Sequence, residues 1–541
     1  MRRTLWLLSG CLSVFLLGPL SPALPAANAG PSVQPSRPIV WVSGQDAGRV
    51  FVTQGTTILK TFDFVNGTPA GTPVIPGVGA ATPGLTVPSP KPHLIEFSPD
   101  GRFAYVSFQN TSPGQVAVID TTTRKVQKLI TIPNSVGLPA GASPRVTQAK
   151  SSPDGTFLLV TEIGPPGTLT RVAVDEVART WNVVAGPVVQ TGGFGPACTS
   201  FKPDGTIAYV DSSLSPFLGV AVVDPNTLLP STLFPTAGDP QCGIHNPIIL
   251  GGVRQIVVTD NGGTATPGAG HIHLIDTTTN SFTEVSPSPI PGANLHDNWP
   301  VGLQPVGAPT SDTPNTSYES DRDLSKLHQS LLGTSNDSTL NIVDSNVLAP
   351  DSSGCVDPQP NPTCTNPRGA PDTLDGSGNT VFVAMKEAGD LGIIDNFNTQ
   401  TYLHLVTPDP SCGQVGNTNF HKCFAVHAVT VQPSFAASTS LSCATGTTGG
   451  GQPTLSCTAA STTLGVPLHF IRVTDLTIGS SFVVGDQTPC SQGGIVNPNT
   501  LTFSAVPAHQ YKVVVSTCQK PEHKDTYKVA PNGTVRLVNS A

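Results

Sequence analysis

Residues 98–123 read SPDGRFAYVSFQNTSPGQVAVIDTTT: a turn, an apolar run, a second turn, another apolar run that ends in aspartate, and a third turn. Short apolar and aromatic runs bounded by Gly, Pro, Asp and Ser are strand signals. The same phrase recurs along the chain. Pro-Asp-Gly stands at 99–101, 153–155 and 203–205, with Leu374-Asp375-Gly376 as a variant, and each is followed by a strand-like run: RFAYVSF, TFLLVTE, TIAYVDS and NTVFVAM. A second run then ends in Asp120, Asp175, Asp224, Asp276, Asp344 or Asp395. A carboxylate at a strand end accepts the backbone N–H groups of the next turn, so these aspartates are expected to punctuate the chain, not to catalyse.

Each unit supplies four short strands: one before the Pro-Asp-Gly turn, one after it, the aspartate-ended one, and a last such as KVQKLITIP, with a period of about 50 residues. Four strands repeated at 40 to 50 residues are the signature of a β-propeller blade. SPDGRFAYVSF followed by GQVAVIDTTTRKVQKLITI resembles the YVTN-type repeat of secreted bacterial seven-bladed propellers, a group related to the lactonase-like propellers. The resemblance covers about 39–434 and implies the fold; such scaffolds host unrelated activities.

The ends of the repeat array predict how the ring closes. Residues 39–66 supply three strands and lack the first, while Val426–Pro433 (VHAVTVQP) matches Pro92–Pro99 (PHLIEFSP) position by position. Pairing the two ends inside one blade removes the open edges of a sheet protein. Seven blades are expected: 39–66 with 424–434, then units beginning near 92, 145, 196, 241, 293 and 369. In the unit at 293–347, residues 301–326 fit no strand pattern. The expected organisation is an all-β propeller over 30–435 followed by a small β-sandwich over 436–541, where runs such as LHFIRV, TLTFSAV and YKVVVST break the period.

Export is expected from the first residues. MRR precedes the apolar TLWLLSGCLSVFLLGPL and an A-x-A site at Ala27–Ala29, the layout of a cleaved secretory signal. The lipobox-like Leu8-Ser9-Gly10-Cys11 would leave too short an apolar stretch before it, so cleavage after Ala29 and a secreted, periplasmic or cell-envelope protein are expected. No later segment reaches the roughly 18 apolar residues of a membrane span. Of eleven cysteines, ten lie beyond the signal and none forms CxxC, which suits disulfides in an oxidising compartment. Cys198 and Cys242 occupy the same place in adjacent units. The other expected pairs are Cys355 with Cys364, Cys412 with Cys423, Cys443 with Cys457 and Cys490 with Cys518. Charged residues are 11% of the chain against about 25% usually, and removal of Arg2 and Arg3 takes the net charge from -8 to -10. Nucleic acid is excluded as a natural partner, and a monomer is expected.

Functional candidates come from aligning the first strands. His93, Thr147, Ala197, Gln241 and His427 fall at equivalent positions, with His296 near the start of its own strand. The closure argument puts His427 and His93 on neighbouring blades at the channel mouth, with Glu162 and Asp260 facing the same side. Imidazoles with carboxylates can bind a transition metal or act as acid and base; equally, the ring can hydrogen-bond between strands. His271 and His273 share one face of a strand and form a weaker metal candidate. His296-Asp297-Asn298-Trp299 sets an acid–base pair beside an aromatic ring. Asp372–Asn379 (DTLDGSGN) lacks the glutamate of a calcium loop and reads as an extended turn. No G-x-S-x-G seats a nucleophilic serine. Two functions follow. The favoured one is a binding module whose mouth face takes a protein, glycan or small-molecule ligand. The alternative is a mouth enzyme, lactonase-like or a metal-dependent oxidoreductase, using His93, His427 and His296.

Overall fold

The strands that follow the Pro-Asp-Gly turns are buried on both faces: every residue of Phe103–Phe108 is buried, and so is nearly all of Phe157–Ile163. A strand of this kind needs a neighbour on each side of its sheet, and that need sets the architecture. The computed structural model describes residue 37 onward, apart from 80–84, 100, 134–144, 165–166, 177, 191–193, 215–216, 241, 245–247, 251–252, 263–268, 302–315, 322–325, 343–370, 378, 387, 407–424, 434–438, 448–452, 462–467, 479–480, 485–498, 507–508, 518–521, 530–534 and 541.

Among the described residues there is no helix, and seven antiparallel sheets follow one another along the chain. The second sheet sets the pattern: Pro92–Phe97, Phe103–Phe108, Gly114–Asp120 and Lys125–Ile132 pair in chain order. The third (145–189), fourth (196–235), sixth (295–341) and seventh (371–404) repeat it, and the fifth (248–284) carries the extra strand Ile290–Pro291. The first sheet is built from both ends of the array. Val429–Val431 pairs with Ile39–Gly44 in the register Val40↔Val431, Trp41↔Thr430, Val42↔Val429. The Trp41 indole N–H donates to Gln432 Oε1 at 2.9 Å, locking the two ends. The ring closes as the sequence predicts.

Apolar clusters lie between the sheets. Trp41 and Phe62 of the first sheet meet Ile95 and Val106 of the second. Tyr105 and Val116 meet Leu158 and Val160 of the third, and Leu159 meets Phe201 and Val210 of the fourth. Tyr209 meets Ile256 of the fifth, Ile272 meets Leu295 of the sixth, and Leu327 meets Leu374 and Val383 of the seventh. Phe382 and Ile393 then meet Val42 and Phe51 of the first.

The three Pro-Asp-Gly turns behave as the repeat predicts, whereas the variant Leu374-Asp375-Gly376 lies inside the strand Pro371–Ser377. Gly101, Gly155 and Gly205 share φ +71°, a left-handed backbone that glycine adopts without cost to a side chain. Asp120, Asp175, Asp224 and Asp276 each accept a backbone N–H two or three residues on, at 2.7–2.8 Å; Asp344 lies outside the described residues.

Two expectations need correction. Within 301–326 the structure has the strand Thr316–Asp321, the second of the sixth sheet. Its pattern is hidden because Glu319 and Asp321 are fully buried, Glu319 accepting from Ser330 Oγ and Asp321 facing His328 Nε2 at 3.3 Å. Asp372–Asn379 is not an extended turn: Pro371–Ser377 is the inner strand of the seventh sheet.

Beyond the array, Thr439–Thr447, Pro453–Ser461 and Asn499–Ser504 form one sheet, and a second runs in the order Ser481–Val484, Leu468–Asp475, Gln510–Thr517, Glu522–Val529, Val535–Ser540. Leu455 and Cys457 of the first pack against Val473, Tyr511 and Val513 of the second, which makes a sandwich. Cys443 and Cys457 sit opposite each other in register and are bonded.

One side-chain position clasps the inner ring. The inner strands shift register near their starts, between Pro92 and Ile95, Val146 and Gln148, Pro196 and Thr199, Leu295 and Asn298, and Pro371 and Leu374. Such bulges leave an N–H without its ladder partner. Ser107 Oγ accepts the Leu94 N–H at 3.1 Å and donates to the Thr147 carbonyl of the next sheet at 2.6 Å. Ser320 does the same between the Asp297 N–H at 3.1 Å and the Asp372 carbonyl at 2.6 Å. Thr161 reaches the Ala197 carbonyl, and Ser43 accepts from Ala428. Truncating such a buried hydroxyl leaves polar groups unsatisfied at a cost of roughly 1–3 kcal/mol. Ser107→Ala and Ser320→Ala should each lower stability by about that much in urea unfolding; no change in midpoint would show that the hydroxyls do not hold the ring.

Candidate functional site at the start of the inner strands

A bulge sets two consecutive residues against one on the partner strand, and here each member of the pair has its own destination. The first members are His93, Thr147, Ala197, His296 and Asp372, with His427 in the equivalent place just before Val429–Val431. The sixth, seventh, first and second sheets are consecutive around the ring, so His296, Asp372, His427 and His93 meet. His296 Nε2 lies 3.3 Å from Asp372 Oδ1. His427 Nδ1 donates to Asp372 Oδ2. The rings of His427 and His93 are 4.0 Å apart between centroids, tilted by 34°. His93 Nδ1 in turn donates to the Thr147 carbonyl at 2.9 Å. Each of the three imidazoles is 6% exposed and Asp372 is fully buried. Burial, reinforced by the neighbouring His427, holds the His93 pKa well below the ordinary imidazole value. With Nδ1 committed to a carbonyl, Nε2 is the basic atom of the neutral ring.

The structure thus brings His93, His427 and His296 together through Asp372, a residue that the local sequence DTLDGSGN places in a turn. Aligning APDTLDG with KPHLIEF would have placed Asp372 beneath His93. Asp297 is directed elsewhere: its Oδ1 accepts the Asn298 N–H and its Oδ2 the Leu374 N–H of the next sheet, both at 2.9 Å. His271 and His273 lie 6.0 Å apart on one strand face, but each faces a carboxylate on an adjacent strand, Glu284 for His271 and Asp260 for His273, at 2.9 Å. Among the described residues one group of three His, Cys, Asp or Glu donor atoms lies within 4.8 Å of one another: Cys198, Asp211 and Cys242. The two sulfurs of that group form a disulfide. The pairs Cys355–Cys364, Cys412–Cys423 and Cys490–Cys518, and Gln241, lie outside the described residues.

The second members of the bulges, Leu94, Cys198, Asp297 and Thr373, line a central cavity of about 210 Å³. Its wall takes residues from all seven repeats, with Glu96 and Lys150 on one side, Trp299 and Asp375 on another, and Cys242 and Thr430 between them. Lys150 Nζ meets Glu96 Oε2 at 2.7 Å, and Gln148 donates to the other Glu96 oxygen at 2.6 Å. Gln148 and Lys150, like Leu94 and Glu96, are two residues apart and so share one face of their strand.

Glu162 ends a second strand on the same side as the imidazoles. Thr168 Oγ1 donates to one of its oxygens, and the side chain is 2% exposed. Burial pushes its pKa to about 7.

No family model matches this sequence, and no curated protein matches it. Solved structures share the architecture at a distance. Dihydro-heme d1 dehydrogenase NirN in complex with DHE is 13% identical, covering 69% of this chain and 76% of its own, with a TM-score of 0.40. The periplasmic gluconolactonase PpgL of Pseudomonas aeruginosa is 13% identical over 68% of this chain and 96% of its own, at 0.41. A chain of the nidogen/laminin complex is 9% identical over 73% and 98%, at 0.38. At these scores the likeness carries no functional argument.

The Glu162 carboxyl makes stability depend on pH with a definite sign. A folded-state pKa above the unfolded value means that the folded chain binds more protons between the two, so stability falls as pH rises from about 4.5 to about 7. His93 works the other way, its lowered pKa withdrawing stability as pH falls below 6.5. Comparing wild type with Glu162→Gln at each pH cancels the histidine. Wild type should lose stability relative to the variant between pH 5 and 8 by an amount on the order of a few kcal/mol; parallel urea midpoints across that range would contradict the buried, protonated Glu162.

Proposed function

We propose that this chain is an exported β-propeller binding protein, of YVTN-type ancestry, that takes a small polar ligand into the central cavity beside its imidazole–carboxylate group. The observation that carries this reading is the convergence on one cavity of side chains from all seven repeats: a carboxylate–ammonium pair, an indole and further carboxylates, the few well-placed polar groups by which pockets recognise a ligand. The imidazoles are largely committed to contacts between sheets. Export is supported by the Cys198–Cys242 and Cys443–Cys457 bridges and by the charged, apolar and A-x-A segments at the start of the sequence. In this reading 30–435 form the recognition domain and 436–541 a spacer or docking domain.

A second reading, hydrolysis, is favoured by one observation: Asp372 lies between His427 and His296, and a neutral His93 lies against His427. A neutral buried imidazole can take a proton from a nucleophilic water. A lactone probe cleaved by wild type but not by Asp372→Asn would favour this reading over binding.

The binding reading is tested by thermal shift with a panel of monosaccharides, amino acids and dicarboxylates. A compound that raises the melting temperature of wild type, and not of Trp299→Ala or of the charge-balanced pair Glu96→Gln with Lys150→Met, is the expected result. A panel without any shift, or a shift equal in all three proteins, would remove the cavity as the binding site.

A further inference from the structure

The cavity wall contains a disulfide. Cys198, second member of the fourth sheet's bulge, is joined to Cys242, which precedes the fifth sheet, and both line the cavity. A staple between neighbouring sheets needs nothing more than two sulfurs. This one has a third member. Asp211, fully buried on the second strand of the fourth sheet, accepts the Cys198 N–H on one oxygen and the Cys242 N–H, at 2.8 Å, on the other. One donor atom from each of the three residues lies within 4.8 Å of the others, so a carboxyl oxygen sits beside both sulfurs. By contrast the Cys443–Cys457 bridge is set among Leu455, Val473 and Val513.

Two further features distinguish the channel bridge. Cys242 has φ +69°, a left-handed backbone that residues with a side chain adopt with strain. Asp211 is placed to carry a proton: burial, with the nearby Asp239 carboxylate adding to it, pushes its pKa to about 7 against the opposing pull of backbone hydrogen bonds from Cys198, Cys242 and Ala197. The other charged groups facing this cavity are Glu96, Lys150, Asp297 and Asp375.

We propose that Cys198–Cys242 is a thiol–disulfide exchange site, entered through the channel by a small thiol or dithiol, with Asp211 as proton donor to the departing sulfur. The thiolate of the reagent attacks Cys242 Sγ, on the more exposed of the two cysteines. The S–S bond breaks, and its electron pair leaves on Cys198 Sγ, which takes the proton of the Asp211 carboxyl. The second thiolate of a dithiol then attacks the mixed disulfide. Cys242 leaves and is protonated, and the reagent departs as its own disulfide. Two electrons and two protons pass from the reagent to the protein, the carboxyl being reprotonated by way of the channel water. Exchange proceeds by such in-line attack, and its rate depends on how readily the leaving sulfur departs.

The test uses the oxidised full chain, pulsed with dithiothreitol at pH 6 and pH 8.5, then alkylated and mapped by mass spectrometry. Cys198 and Cys242 should be labelled about tenfold or more faster than Cys443 and Cys457 while circular dichroism remains native. Asp211→Asn should slow the channel bridge by about tenfold at pH 6 and little at pH 8.5, where the carboxyl is already ionised. Channel cysteines that react no faster than the sandwich pair, or only after the native signal is lost, would overturn the proposal; an equal effect of Asp211→Asn at both pH values would overturn the role of the carboxyl. If Asp211→Asn does not fold, the order of labelling in wild type still decides.

Discussion

A small sheet that is apolar on both faces cannot be stable alone, and the described residues form seven of them in succession, six four-stranded and one five-stranded. Each apolar cluster is made by two successive sheets, so no single sheet owns a core. The last cluster, Phe382 and Ile393 against Val42 and Phe51, exists only if the chain's ends meet in the first sheet. Closure is therefore the condition on which the other contacts rest. It is enforced by the short strand Val429–Val431, by the Trp41 bond to Gln432 and by the Thr430 hydroxyl, which reaches the Ile95 carbonyl of the second sheet.

The same geometry makes the site. Inner strands crowd toward an axis, and a bulge at the start of five of them lets one residue point along the rim while the next points into the channel. Fold and site share these few positions. Ser320 illustrates the sharing: its hydroxyl satisfies the N–H of Asp297, which lines the cavity, and the carbonyl of Asp372, which holds two imidazoles. A group that pins the backbone of the bulge thus also fixes the aim of the side chains that do the chemistry.

The architecture was legible because the repeat is written in backbone requirements: glycines in the left-handed region, aspartates that cap turns, and runs apolar on both faces. The neighbourhood of His93 and His427 was legible too, because it follows from closure alone. Thr316–Asp321 was not, since burial of Glu319 and Asp321 depends on Ser330 and His328 of the adjacent strand, partners that no local pattern announces. Asp372 was missed for a related reason. In DTLDGSGN its neighbours are turn formers, and only the pairing of Pro371–Ser377 with Thr380–Met385 makes it an inner-strand residue. Local composition reports a residue's propensity; here the register decided its role.

Charge is where these threads meet. In a chain with 11% charged residues, the acids Glu96, Asp297 and Asp375 line the central cavity. Burying a carboxylate costs several kcal/mol unless donors replace its water, and here the donors are backbone N–H groups of the neighbouring sheet or of the segment that leads into it. Asp297 takes the Leu374 N–H of the seventh sheet, Asp375 the Val431 N–H of the first, and Asp211 the Cys242 N–H that leads into the fifth. Each acid therefore ties its own sheet to the next, and the oxygens of Asp297 and Asp375 also give the channel its polarity. A ligand that enters the cavity meets groups whose geometry is already set by ring closure. Recognition then requires little rearrangement of the wall, and a substitution at the axis is expected to disturb stability and binding together, whereas one on the outer strands should affect stability alone.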